Sequence, residues 1–427
     1  MNKQLKITAI ALAITSITGL TACGGGSGDS DSTNTSTGTS GSTITSGVVT
    51  GFGSIFVDGV EFETDSSSFS LDDGDDGPED EEGLAVGMVV TVTGTVNADG
   101  VTGTADHIEF DDELEGIVNA SNVGTEGTGT MTIMGQTVVI STTTIFESDV
   151  AGITGADLVV AGNVVEVSGF SSGDGTVYAT RIEVKLAAHS GEEIEVKGII
   201  TNLTDTTFDL GELTVNFSTA MFDDDIPDST LSEGLYIEVK SIAGFVNGDL
   251  IASEIEMEGN GDMDLDGDEG DEIELNGIVT AVNSDTAFEI GGHTVIITKS
   301  TEFEHGNAGD INIGVSLEVE GGLNAGGELV ADEIELSIHD DIEMEGNLEE
   351  VNNPPGTVTL LGKTIHITAS TLLLDEQDEA GLVPVHFFGL DDLNSGDYVE
   401  IDAYLEADSG KLIAIKLERD DDIGTDD

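Results

Sequence analysis

The chain repeats itself five times, and that recurrence constrains its fold more than any other property of the sequence. Three short landmarks return in a fixed order. The first is Ser46-Gly47-Val48-Val49, Glu115-Gly116-Ile117-Val118, Lys197-Gly198-Ile199-Ile200, Asn276-Gly277-Ile278-Val279 and Glu345-Gly346-Asn347-Leu348. The second is Val86-Gly87-Met88-Val89-Val90, Ala161-Gly162-Asn163-Val164-Val165, Glu233-Gly234-Leu235-Tyr236-Ile237, Ile313-Gly314-Val315-Ser316-Leu317 and Ser395-Gly396-Asp397-Tyr398-Val399. The third is Ala105-Asp106-His107-Ile108-Glu109, Ala179-Thr180-Arg181-Ile182-Glu183, Ala252-Ser253-Glu254-Ile255-Glu256, Ala331-Asp332-Glu333-Ile334-Glu335 and Ala414-Ile415-Lys416-Leu417-Glu418. Self-similarity at such a spacing means an array of one supersecondary unit.

Inside each unit apolar and polar residues alternate. In Leu317-Glu318-Val319-Glu320 the acids face one way and the aliphatics the other. A period of two means half-buried strands. Asn97-Ala98-Asp99-Gly100, Ser172-Gly173-Asp174-Gly175 and Asn247-Gly248 fall between the second and third landmarks, and these residue types favour hairpin turns because they tolerate positive φ. No long stretch shows helical periodicity. Each unit reads as about five strands, which suit a small barrel that leaves few edges exposed. The expected fold is all-β: five tandem small OB-like or SH3-like barrels behind a signal peptide and a tether.

The first unit carries Gly51-Phe52-Gly53-Ser54-Ile55-Phe56-Val57-Asp58-Gly59-Val60-Glu61-Phe62, followed by the Val86–Val90 and Ala105–Ile108 segments. This set resembles the family known as domain of unknown function 5666. The later units match less closely and lack the Gly-Phe-Gly-Ser element. The resemblance covers most of residues 46–419. It implies an envelope lipoprotein with OB-like modules, and it implies no activity.

Residues 1–22 read as a signal peptide, with Lys3 and Lys6 ahead of an apolar stretch from Ile7 to Leu20. Thr8, Thr15, Ser16 and Thr18 interrupt that stretch, so it is too short and polar to span a bilayer comfortably. It ends Leu20-Thr21-Ala22-Cys23, which resembles a lipobox. The resemblance implies a diacylglycerol thioether on Cys23, the only cysteine in the chain, and so a membrane partner reached through lipid. Gly24 after the cysteine favours the outer membrane by the same analogy. Residues 24–45 are nearly free of apolar side chains and cannot bury enough surface to offset ordering entropy; they read as a tether. The expected division is 1–22 signal peptide, 23–45 lipidated tether, 46–112, 113–190 and 191–259 as modules 1 to 3, 260–271 acidic linker, 272–339 and 340–419 as modules 4 and 5, and 420–427 acidic tail.

Charge narrows the partners. The chain has 86 acidic and 11 basic residues, for a formal net of −75. Such a surface repels nucleic-acid phosphate and anionic lipid and attracts divalent cations. A salt-adapted soluble surface is the plain alternative to a specific cation role. The strongest local candidate is Asp262-Met263-Asp264-Leu265-Asp266-Gly267-Asp268-Glu269-Gly270-Asp271-Glu272. Asp262, Asp264 and Asp266, with Gly267 at the sixth position, match the first half of an EF-hand-type loop. Asp268 would offer its carbonyl, and Asp271 and Glu272 lie near the end. Position twelve is Ile273 instead of a bidentate Glu, and a solvated acidic linker is the alternative. Calcium is therefore the one candidate cofactor. The Asp72–Glu82 run lacks the alternating spacing and reads as a solvated loop.

Seven histidines, at 107, 189, 293, 305, 339, 366 and 386, form no pair at metal-ligand spacing, so no transition-metal site is expected. Phe387-Phe388 reads as core. No nucleophile elbow or phosphate loop is present. The expected function is a non-enzymatic envelope scaffold or binding protein with an unassigned protein or polysaccharide partner. The alternatives are a calcium-responsive adhesion or matrix protein and, behind it, a polysaccharide-acting enzyme.

Overall fold

A computed structural model of the chain describes residues 43–420, apart from 53, 72–79, 98, 126, 173–174, 224–225, 227–229, 258–271, 337–341, 354–355, 369, 376–387 and 406–410. The described residues are all-β, joined by turns and short 3-10 segments. Barrel 1 contains β1 (Thr43–Gly51), β2 (Ile55–Val57), β3 (Val60–Glu63), β4 (Ser68–Leu71), β5 (Val89–Val96) and β6 (Thr102–Phe110). Barrel 2 contains β7 (Leu114–Ser121), β8 (Gly129–Ile133), β9 (Gln136–Ser148), β10 (Val164–Ser171) and β11 (Thr176–Leu186). Barrel 3 contains β12 (Ile194–Thr201), β13 (Thr207–Leu210), β14 (Leu213–Asn216), β15 (Met221–Phe222), β16 (Tyr236–Ser241), β17 (Phe245–Val246), β18 (Asp249–Ile251) and β19 (Glu254–Met257). Barrel 4 contains β20 (Glu272–Ser284), β21 (Ala287–Ile290), β22 (His293–Ile296), β23 (Glu302–Glu304), β24 (Ser316–Leu323) and β25 (Leu329–Leu336). Barrel 5 contains β26 (Ile342–Asn347), β27 (Glu350–Asn352), β28 (Thr357–Leu360), β29 (Lys363–His366), β30 (Leu372–Asp375), β31 (Tyr398–Leu405) and β32 (Leu412–Asp420).

Pairing closes each unit in the order first, second, third, last, fourth, first. In barrel 1 this circuit is β1-β2-β3-β6-β5-β1, antiparallel at every step except β3 to β6. Barrel 2 repeats it with β7-β8-β9-β11-β10-β7, and barrel 4 with β20-β21-β22-β25-β24-β20. Barrels 3 and 5 follow the same path with one strand broken in two: β18 and β19 form the last strand of barrel 3, and β26 and β27 the first of barrel 5. This is the OB order, which decides between the two barrel types that periodicity alone left open.

The landmarks acquire physical roles. The glycine of the second landmark stands in the turn before the fourth strand, with φ of +94° at Gly87, +101° at Gly162, +87° at Gly234, +88° at Gly314 and +102° at Gly396. A side chain at that backbone angle is strained, so the recurrence of glycine follows from the turn. The third landmark marks a β-bulge. Thr93 pairs His107 and Gly94 pairs Ala105, leaving Asp106 extra; Thr180 and Asp332 are the extra residues in barrels 2 and 4. The bulge bends the last strand, so it leaves β3 and continues along β4. The bend also presses the fourth strand close. A Cβ at Gly169 would lie 2.3 Å from the Tyr178 carbonyl oxygen.

A hydroxyl satisfies the carbonyl that the bulge exposes. Ser67, Thr144, Thr301 and Thr371 donate to the carbonyls of Ala105, Ala179, Ala331 and Ala414, at 2.7 Å in the first three and 2.8 Å in the last. Buried backbone acceptors need such partners.

Barrels dock through their opening strands. The first half of β1 has no second-strand cover within its own barrel. Thr43–Ser46 instead runs parallel to Glu272–Leu275 of β20. β7 and β12 meet likewise, antiparallel, at Leu114–Glu115 and Glu195–Val196. Barrels 2 and 3 share one apolar core, from Leu114 through Ile255. The barrel 4 core also takes in Ile44 and Val89 of barrel 1 and Phe170 of barrel 2. One boundary is adjusted. Thr43, Ile44 and Thr45 belong to a strand and not to the tether, because Ile44 is buried in another barrel. Docking joins barrel 1 to barrel 4, which is not its neighbour in sequence.

Candidate functional site

Charge is concentrated where the fourth and last strands of each barrel face outward. Two adjacent cross-strand pairs recur there. The first pair is Thr91–Glu109, Glu166–Glu183, Glu238–Glu256, Glu318–Glu335 and Glu400–Glu418 in barrels 1 to 5. The second is Thr93–His107, Ser168–Arg181, Lys240–Glu254, Glu320–Glu333 and Asp402–Lys416. Like charges directly opposite one another destabilise a sheet, so the glutamate pairs need a counter-charge.

Barrels 2, 3 and 5 supply it internally. Arg181, buried, bridges Glu147 and Glu183. Lys185 bonds Glu166 at 2.8 Å. Lys240 lies 3.4 Å from Glu238 and 3.1 Å from Glu256, and Lys416 lies 2.6 Å from Glu418. These acids hold the Lys416 ammonium and the Arg181 guanidinium above their ordinary values, outweighing burial. Burial nonetheless pushes Glu166 up.

Barrel 4 is built differently. Two rows cross four strands: Asn276, Glu318, Glu335 and Glu304 in one, and Glu274, Glu320, Glu333 and Glu302 in the other. The sequences of β20, β23, β24 and β25 contain no lysine or arginine; Lys299, the one basic residue of this module, stands exposed in the loop before β23. Into this face projects Asp58, at the tip of the β2–β3 hairpin, where φ is +51° at Asp58 and +74° at Gly59, a two-residue Asp-Gly turn of the primed kind. The turn backbone keeps some exposure while its carboxylate is enclosed. The side chain bonds Asn276, and Oδ2 is shut from solvent with no hydrogen-bond partner among the described residues. Burial, with Glu274 next, pushes Asp58 up to about 7. Burial and then Asp58, Glu335, Glu320 and Glu274 push Glu318 up to about 9.

At one end of the face, ligand atoms of Glu304, His305 and Glu335 come within 4.8 Å of one another, with His305 Nδ1 3.0 Å from Glu335 Oε1. The histidine spacing gave no sign of this trio, because parallel pairing of β23 with β25 assembles it. Asp58 and the glutamate rows also went unread as a site. The signal available was the Asp-Gly turn and a register alignment of the five copies.

Most of the residues singled out by sequence lie outside the described ones. Leu20, Thr21, Ala22 and Cys23 fall outside the described residues, as do Asp262, Asp264, Asp266, Asp268 and Asp271. Glu272 opens β20 opposite Thr43. Of the Asp72–Glu82 run, residues 72–79 are outside, and Asp80 caps a 3-10 turn by accepting from the Glu82 amide. Phe387 is outside, whereas Phe388 is buried beneath Arg419, whose guanidinium carbon lies 4.6 Å from the ring centroid.

No curated protein matches the chain. Among solved structures, a chain titled drosophila Unr CSD456 matches at 14% identity, over 52% of this chain and 96% of its own, with a TM-score of 0.13. A family model, the domain of unknown function DUF5666, matches residues 43–109, 115–183, 197–256, 276–335 and 345–418. Those segments coincide with the five closed circuits of strands and take up most of the sequence. The chain belongs to the DUF5666 family, as a protein of five tandem copies.

Proposed function

We propose that this chain is a lipid-anchored envelope protein acting as a non-enzymatic scaffold, with Cys23 as its anchor and the barrels as its framework. The observation that carries the reading is the strand pairing between barrels. Thr43–Ser46 of β1 adds to Glu272–Leu275 of β20, and β7 adds to β12. Backbone ladders across module boundaries resist bending in a way that beads on linkers do not. The lipobox-like Leu20–Cys23 supports a membrane location for the framework, and the acidity argues for partners other than nucleic acid.

The test uses the full-length chain in its envelope. Thr43 and Glu272 pair directly, and paired strands generally lie about 4.7–4.9 Å apart, a spacing that suits the roughly 4.4–6.8 Å a disulfide bridges. Thr43→Cys with Glu272→Cys is expected to close a disulfide in the membrane fraction. The same pair carrying Cys23→Ser is expected to close it in the soluble fraction. A bridge that fails to form removes the framework; a Cys23→Ser protein that stays with the membrane removes the anchor.

A further inference from the structure

We propose that the carboxylate face of barrel 4, closed by Asp58 of barrel 1, is a calcium site whose ion stands where the other charged barrels carry Arg181, Lys240 or Lys416. Glu320 aligns with Lys240, and Glu333 aligns with Arg181 and Lys416, by landmark and by pairing register. Three barrels thus neutralise a glutamate pair with a covalent cation at one of two opposed positions. The fourth has glutamate at both, and none of its strands β20, β23, β24 and β25 carries a lysine or arginine, so a bound cation would supply the compensating charge.

Asp58 is the independent observation. It arrives from another barrel, its carboxylate is buried, bonds Asn276 and feels the charges of Glu274, Glu318, Glu320 and Glu335, and its Oδ2 has no hydrogen-bond partner among the described residues. A buried oxygen left in that condition costs free energy unless a ligand meets it. The donors are all oxygens, which select a hard cation, and calcium accepts about six to eight of them in irregular geometry. Opposed Cβ atoms about 4.5–5.5 Å apart leave long glutamate side chains free to converge on one ion. The ion would bridge barrels 1 and 4 and make their docking respond to calcium. The inference stands apart from the acidic loop at Asp262–Glu272 and does not depend on the scaffold reading.

Thermal unfolding of the full-length chain tests it. Calcium added to chelator-treated protein is expected to raise the Tm by several degrees, with half-saturation on the order of 10⁻⁴–10⁻³ M. Sodium chloride of equal ionic strength is expected to give a small fraction of that rise. Glu320→Lys copies the barrel 3 solution: its Tm in chelator should exceed that of the parent, and the calcium increment should vanish. Glu318→Gln, a smaller change, should shift half-saturation at least tenfold. Asp264→Ala/Asp266→Ala should keep the increment. The site is overturned if Glu320→Lys retains the increment, if sodium chloride reproduces it, or if only the linker variant loses it. A zinc increment that His305→Ala abolishes would move the site to Glu304–His305–Glu335 and overturn calcium. The Thr43–Glu272 disulfide reads the framework separately, so the two ideas fail by different observations.

Discussion

At the scale of single residues, the most reused device is a hydroxyl that holds a kinked backbone. Thr371 is buried, receives the Thr368 amide at 2.9 Å and donates to the Ala414 carbonyl at 2.8 Å. Thr371→Val keeps the shape and leaves both backbone groups without that partner. The expected loss is about 1–3 kcal/mol, measured as a fall in denaturation midpoint. The sequence shows a Thr or Ser at these positions without showing why, since the acceptor lies 30 to 43 residues onward. Lys197 is another case. Its position in the first landmark is plain, but its buried ammonium reaches Asp111 and the Asp112 carbonyl in the segment joining barrels 1 and 2. Only the fold reveals that a barrel 3 lysine fastens that join.

Among elements, the strands of the barrels were legible because aliphatic and polar residues alternate along them: Phe208-Asp209-Leu210 and Phe288-Glu289-Ile290 lie in β13 and β21. The bulges were not, because a bulge is a mismatch between two strands and neither sequence alone contains it. The carboxylate rows were hidden for the same reason, as β23 joins them only through its parallel pairing with β25. Their pH behaviour follows from Glu318, which faces Asp58, Glu274, Glu320 and Glu335. Its ordinary value is 4.5 and its folded value about 9, so the folded state binds the extra proton between those limits. The stability it contributes is complete below about pH 4.5 and is lost as the pH rises towards 9. In chelator the unfolding temperature of the parent protein is expected to fall from pH 5 to pH 8. Glu318→Gln should flatten that slope and exceed the parent at pH 8. A parent protein that gains stability over this interval would contradict the assignment.

For the whole molecule, module count was readable and module arrangement was not. Five landmark sets specify five barrels, but nothing in Thr43–Ser46 announces Glu272–Leu275 as its neighbour. The fusion of barrels 2 and 3 is equally silent, although small units do need added burial. Their shared core, with Leu114, Val196, Phe208 and Ile237 in one cluster, predicts that residues 113–259 unfold in a single transition. Residues 113–190 alone should unfold with at least several degrees lower Tm, or not fold. Two separated transitions in the longer fragment would show that the cores act independently.

The seam between β1 and β20 also sets a timetable. Thr45 Oγ1 donates to Glu274 across 229 positions of sequence. At roughly 5–20 residues per second, a ribosome finishes barrel 1 about eight to thirty-three seconds before the strand that covers this edge exists. Throughout that wait the young barrel presents a bare strand edge, the feature that invites adhesion to other nascent chains. A cell making this protein must keep early copies apart until the fourth repeat arrives, and slow synthesis should lower the yield of folded product.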